Sequence, residues 1–102
     1  MIHVLATITL RPGAQEAWFD EFARLAPEVQ AEDGCIEYGA AMDVPSGIAI
    51  QEPMRADVVM VIEKWNDLGA LAAHLEAPHM VEWRRRVGDL MTGVSLQVLT
   101  PV

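Results

Sequence analysis

Asp57–Trp65 reads "DVVMVIEKW", and its Val58 to Ile62 core is apolar at every position. A strand with one wet face alternates apolar and polar residues, so an unbroken run implies a strand covered on both faces. Glu63 shares a side with Val59, Val61 and Trp65, which places one acid in the apolar series. The chain must therefore build a sheet, cover one face with its own helices, and find cover for the other.

Outward from this run, "ND" at Asn66–Asp67 can cap a helix with core positions Leu68, Leu71, Ala72 and Leu75. Pro78 ends that helix and starts another at a new angle, with the stripe Met80, Trp83, Val87, Leu90 and Met91 closed by Gly93. "VSLQVL" is a last strand. Upstream, "IHVLATITL" alternates: Ile2, Val4, Ala6, Ile8 and Leu10 point one way, and His3, Leu5, Thr7 and Thr9 the other. After the "RPG" turn, Trp18, Phe22, Leu25, Ala26 and Val29 form a helical stripe that Pro27 should kink, and Gly34 can take the left-handed conformation that stops the helix. "CIEYGAAM" is a strand with Ile36, Tyr38, Ala40 and Met42 on one side, and "IAIQ" reads as a short strand returning beside it.

The order strand, helix, strands, helix pair, strand predicts one α+β domain over residues 1–102, a ferredoxin-like split βαβ sheet with its helices on one face. The uncovered face then calls for a second copy. Burying a few hundred Å² there, at about 25 cal/mol per Å², is worth several kcal/mol, comparable with the stability of so small a domain, so a homodimer is expected.

Seven Lys and Arg against fifteen Asp and Glu give a net charge of −8, which repels a nucleic-acid backbone. The run Arg84 to Arg86 reads as a solvated helix face. No apolar run approaches the roughly 18 residues of a membrane span, and the first residues read as a strand rather than a signal peptide, so a soluble cytoplasmic protein is expected. Cys35 is the one cysteine and reads as a small hydrophobe.

The usual nucleotide, zinc-protease and dithiol motifs are absent. His74 and His79 are five apart across Pro78, whereas one helical face sets metal ligands four apart, so no metal pair is expected. Tyr38, Glu63, Trp65, His74, His79 and Trp83 remain as polar or aromatic groups with chemistry to offer. His74 follows Leu71 by three and precedes Leu75 by one, at the edge of the stripe, where an imidazole can move a proton near neutral pH or simply bond within its helix. Trp65 and Trp83 suit a core as well as a ligand platform; Glu63 suits an ion pair as well as a site; His79 suits a cap. Residues alone indicate a small-molecule pocket with acid–base capacity and no defined reaction.

"RPG" at 11–13, "AEDGCIEY" at 31–38, "VVMVIEKW" at 58–65 and "ALAAHLEAPHM" at 70–80 together resemble the antibiotic biosynthesis monooxygenase family of dimeric α/β barrels, especially its small quinol monooxygenases. The resemblance implies a cofactor-independent reaction of a quinol or similar electron-rich aromatic with O2, without flavin, haem or metal. It implies proton transfer by His74 and a pocket wall from Trp65, with Tyr38, Glu63, His79, Met80 and Trp83 shaping the substrate site. Related barrels also include isomerases and hydrolases of small oxygenated metabolites, and a non-enzymatic quinone-binding stress protein is a third reading. Haem-degrading relatives carry a first-strand Asn, a helical Trp and a later His where Ala6, His74 and Arg84 stand here. Relatives acting on polyketide aromatics carry an Asn and a Tyr where Val61 and Leu71 stand.

Overall fold

The computed structural model describes residues 1–102. Strand β1 (Ile2–Leu10) leads to helix α1 (Gln15–Gln30), strands β2 (Cys35–Ala41) and β3 (Val58–Trp65), helices α2 (Leu68–Glu76) and α3 (Pro78–Val87), a 3-10 turn at Gly88–Leu90, and strand β4 (Met91–Leu99). The sheet order is β2-β3-β1-β4, antiparallel throughout, which is the α+β ferredoxin-like arrangement expected. A shortest dimension of 20 Å fits one sheet under one layer of helices.

The pleat sorts the strands as their sequence demands. On β1, Ile2, Val4, Ala6, Ile8 and Leu10 are all buried beneath the helices. β3 places Val59, Val61, Glu63 and Trp65 on that same face, because residues directly opposite in an antiparallel pair share a side: Val4 opposes Glu63, and Ala6 opposes Val61. Trp18, Phe22, Leu25 and Val29 of α1 close the layer from above. The helix runs through Pro27 to Gln30.

The other sheet face carries Leu5, Met60 and Ile62, with Ile62 opposite Leu5; Ile62 is exposed and Leu5 and Met60 are half-buried. The run at 58–62 is apolar because β3 has core on one side and this bare apolar surface on the other.

Four expectations are corrected. "IAIQ" forms a turn, with the Gln51 amide donating to the Ile48 carbonyl, and pairs with nothing in the sheet. It belongs to an arm, 42–57, whose base is clamped by a bidentate Asp43–Arg55 pair and whose Val44, Ile48 and Ile50 are exposed. In β2 only Tyr38 is fully buried: the register slips between Cys35 and Glu37, and the extra residue puts Ile36 in solvent. In α2 the buried residues are Leu71 and His74, while Leu68, Ala72 and Leu75 are exposed, so His74 lies at the centre of the stripe rather than its edge. Gly93 caps no helix; β4 begins at Met91 and pairs Gly93 with Thr9.

The turn after α1 is fixed by a close approach. Gly34 has φ +84°, and a Cβ there would stand 2.6 Å from the Cβ of Ala70 in α2. Its carbonyl accepts from the Asn66 amide at 2.9 Å, and Asp67 caps α2 through the Ala70 amide at 2.8 Å. Gly13, at φ +83°, has open space around it. Gly34→Ala is therefore expected to cost about 2–4 kcal/mol, from strain plus collision, and Gly13→Ala only about 1, from strain alone. Urea unfolding of both variants checks the difference; equal losses would mean that the contact with α2 is soft.

Candidate active site

Four elements deliver side chains to one buried spot at the junction of α2 with the sheet. Register sets Tyr38 of β2 directly opposite Glu63 of β3, and Cys35 opposite Trp65. His74 comes down from the middle of α2, and Glu32 arrives on the α1–β2 turn that Gly34 pins to α2. Trp65 is fully buried, His74 is 1% exposed and Glu63 5%.

The contacts are directional. The Trp65 indole Nε1–H donates to Glu63 Oε1 at 2.9 Å. Glu63 Oε1 lies 3.9 Å from His74 Nε2. The His74 ring tilts against Trp65 with centroids 4.6 Å apart and meets Tyr38 edge-on at 5.6 Å. Its Nδ1 is 2.9 Å from Glu32 Oε2, and the same oxygen is 2.6 Å from His79 Nε2 at the start of α3. An acceptor-only carboxylate at Nδ1 selects the tautomer with the proton there, leaving the Nε2 lone pair on the side of Glu63.

Electrostatics follow from burial. Desolvation raises the Glu63 carboxyl above its ordinary 4.5, an effect opposed by the Trp65 hydrogen bond and by His74 and reinforced by the negative Glu32. Burial, with Glu63 and Glu32 nearby, pushes the Tyr38 phenol well up, so it stays protonated and cannot serve as a base near neutrality. The Cys35 thiol is raised by burial and by the same two acids, which suits a packing residue rather than a nucleophile. No three His, Cys, Asp or Glu side chains are arranged to hold a metal ion.

Not all of the expected site residues gather here. Glu63, Trp65, His74 and Tyr38 do, and His79 joins them through Glu32. Trp83 instead packs edge-on against Trp18 and Phe22, at 5.3 and 6.0 Å, and Met80 is a buried core residue of α3. Phe22 stacks on Tyr38 at 5.5 Å, linking that aromatic cluster to the site. A groove of about 230 Å³ between α1 and α3 is lined by His79 and Trp83 but not by His74. Glu32 is the residue that pattern reading missed. Its signal was its place two residues before a left-handed glycine.

Comparison with known proteins bears on the family and the fold. The family model described as antibiotic biosynthesis monooxygenase matches residues 1–86. The Escherichia coli (strain K12) protein named "Probable quinol monooxygenase YgiN" is 34% identical, over 99% of this chain and 98% of its own. Two solved structures superpose with TM-scores of 0.80. PA3566 from Pseudomonas aeruginosa is 28% identical, covering 99% of this chain and 93% of its own. Rv0793 from Mycobacterium tuberculosis is 27% identical, covering 99% and 94%. A match spanning the first three strands, α1, α2 and all but the last residue of α3, together with a relative above 30% identity over nearly the full length, establishes that the chain belongs to the antibiotic biosynthesis monooxygenase family.

Proposed function

We propose that the protein is a cofactor-independent monooxygenase that oxidises a quinol or a similar small electron-rich aromatic with O2. One observation carries the reading: a buried imidazole, fixed through Nδ1 by Glu32, tilts against Trp65 and directs Nε2 toward Glu63. A phenol hydroxyl hydrogen-bonded to that nitrogen gives up its proton, and the resulting phenolate is electron-rich enough to pass one electron to O2. Radical recombination then forms a ring C–O bond. Balanced over the cycle, quinol plus O2 gives hydroxyquinone plus water. The protein's part is to hold the ring, take the proton and keep water out. The E. coli relative's name supports this substrate class.

In this reading Trp65 walls the ring and Glu63 sits near the imidazolium that forms, where a negative charge stabilises it. Tyr38 donates rather than accepts. Helix α2 is nine residues long with its Leu68 and Leu75 outside. We further propose that the bare sheet face, with Leu5, Met60 and Ile62, packs on a second copy of the chain.

Oxygen uptake with a menadiol-like quinol, measured in the presence of a chelator, tests the reaction. His74→Ala should lower kcat by about 10²- to 10⁴-fold with the fold intact by circular dichroism, the range for loss of a general base. An unchanged rate would remove His74 from the chemistry, and hydrogen peroxide formed in proportion to O2 consumed would make the enzyme an oxidase. Ile62→Glu, on the bare face, should convert a dimer to monomer in light scattering; a wild-type monomer refutes the pairing.

The buried acid adds a stability signature. Because Glu63 holds its proton more tightly folded than unfolded, it favours the folded state at low pH, and stability falls as pH rises from 4.5 through the raised value. Glu63→Gln, which can still accept from Trp65, should match wild type in Tm at about pH 4 and exceed it by a few degrees at about pH 7. Parallel melting curves across that range would show that Glu63 is charged at little cost.

A further inference from the structure

We propose that Glu32 and His79 form a proton path joining the buried His74 to water in the groove between α1 and α3. The path serves the proton transfer assigned to His74 above, but its existence rests on geometry alone. A ring that is 1% exposed meets almost no water, so any proton it takes from a substrate needs a route out. Toward the sheet the neighbours are the more deeply buried ones: Trp65 is fully buried, Glu63 is 5% exposed and Tyr38 6%, against 13% for the Glu32 side chain on the helix side. Toward the helices there is a continuous series. Glu32 Oε2 stands 2.9 Å from His74 Nδ1 and 2.6 Å from His79 Nε2, so one oxygen reaches both rings. The His79 side chain is 23% exposed and lines the groove of about 230 Å³. Its other nitrogen, Nδ1, lies 3.8 Å from Glu28 Oε2, whose side chain is 60% exposed.

Each transfer breaks one bond to hydrogen and forms one, with no oxidant or reductant involved. The substrate O–H proton moves to His74 Nε2, and the imidazolium releases its Nδ1 proton to Glu32 Oε2. At rest the His79 Nε2–H donates to the ionised Glu32; once Glu32 is protonated, exchange with groove water moves the His79 proton to Nδ1, Glu32 passes its own proton to the freed Nε2, and the Nδ1 proton leaves to groove water, which restores the starting tautomer. When His74 Nε2 later gives its proton to reduced oxygen, the same series run backwards returns a proton to Nδ1, and every group regains its starting state. Glu32 is thus a carrier as well as an orienting acceptor, and His79 belongs to the exit rather than to the substrate pocket.

Solution NMR of the full-length protein with 15N-labelled histidines tests the path without substrate, by reading the exchange of the His74 Nδ1 proton with water. His79→Phe should slow that exchange by at least about tenfold, as should Glu32→Gln, whose amide oxygen still accepts but carries no proton, while backbone amides of α2 exchange at their wild-type rates. His79→Gln is the substitute should Phe disturb the groove. Unchanged exchange in both variants, with the His74 tautomer retained, overturns the path. Quinol turnover is the separate readout: slowed exchange in a protein that oxidises no quinol keeps the path and removes the proposed reaction. Recovery of His79→Phe turnover by added imidazole would place the path in the catalytic cycle.

Discussion

A single carboxylate oxygen shared by two imidazoles is the constraint around which the site is organised. Glu32 Oε2 accepts from both rings only because the turn that carries it lies hard against α2, and that contact requires a residue without a Cβ at position 34. Backbone geometry in a four-residue connection thereby sets the tautomer of a side chain 42 positions away. Were the turn to stand further off, His74 would lose its acceptor, and the buried face of α2 would hold an unpaired polar ring, which costs far more than an exposed one.

The sheet contributes the complementary half. β3 alternates strictly inward at Val59, Val61, Glu63 and Trp65, so the acid is buried as a consequence of register, not of local preference. Its one strong donor is the indole two residues along the same strand. This i, i+2 pairing places polar partners side by side beneath the helices while the remainder of the layer stays apolar, confining polarity to one end of the core. The other end is an aromatic cluster of Trp18, Phe22 and Trp83, with Tyr38 bridging the two.

Much of this was legible in the chain. β1, α1 and the helix break at Pro78 followed from period and proline alone, and the inward placement of Glu63 and Trp65 followed from counting by twos. The failures share a cause, which is that pattern ranks residues by polarity while packing ranks them by direction. Leucines at 68 and 75 looked like core, yet α2 turns Leu71 and His74 inward because polar partners wait there in Glu32 and Glu63. Ile36 was misplaced because a bulge shifts register by one residue and leaves no mark in composition. "IAIQ" has strand-like residues but no neighbour to pair with, and Gly93 resembled a cap only because the strand starts sooner than its apolar pattern suggests. Glu32 lay in a segment whose composition announces only a turn; its function depends on contacts with residues more than forty positions downstream.

The arm between β2 and β3 has a different character from the rest. Asp43 takes the Arg55 guanidinium in two bonds and the Arg55 backbone amide in a third, while Gln51 stitches Ser46 to the Val44 carbonyl. Its shape is therefore specified by its own hydrogen bonds instead of by a core behind it. Such a module is insulated: the tip can gain, lose or exchange residues in the course of descent while the staple at its root shields the paired strands from the disturbance, leaving the outline of this rim free to diverge among proteins that share one interior.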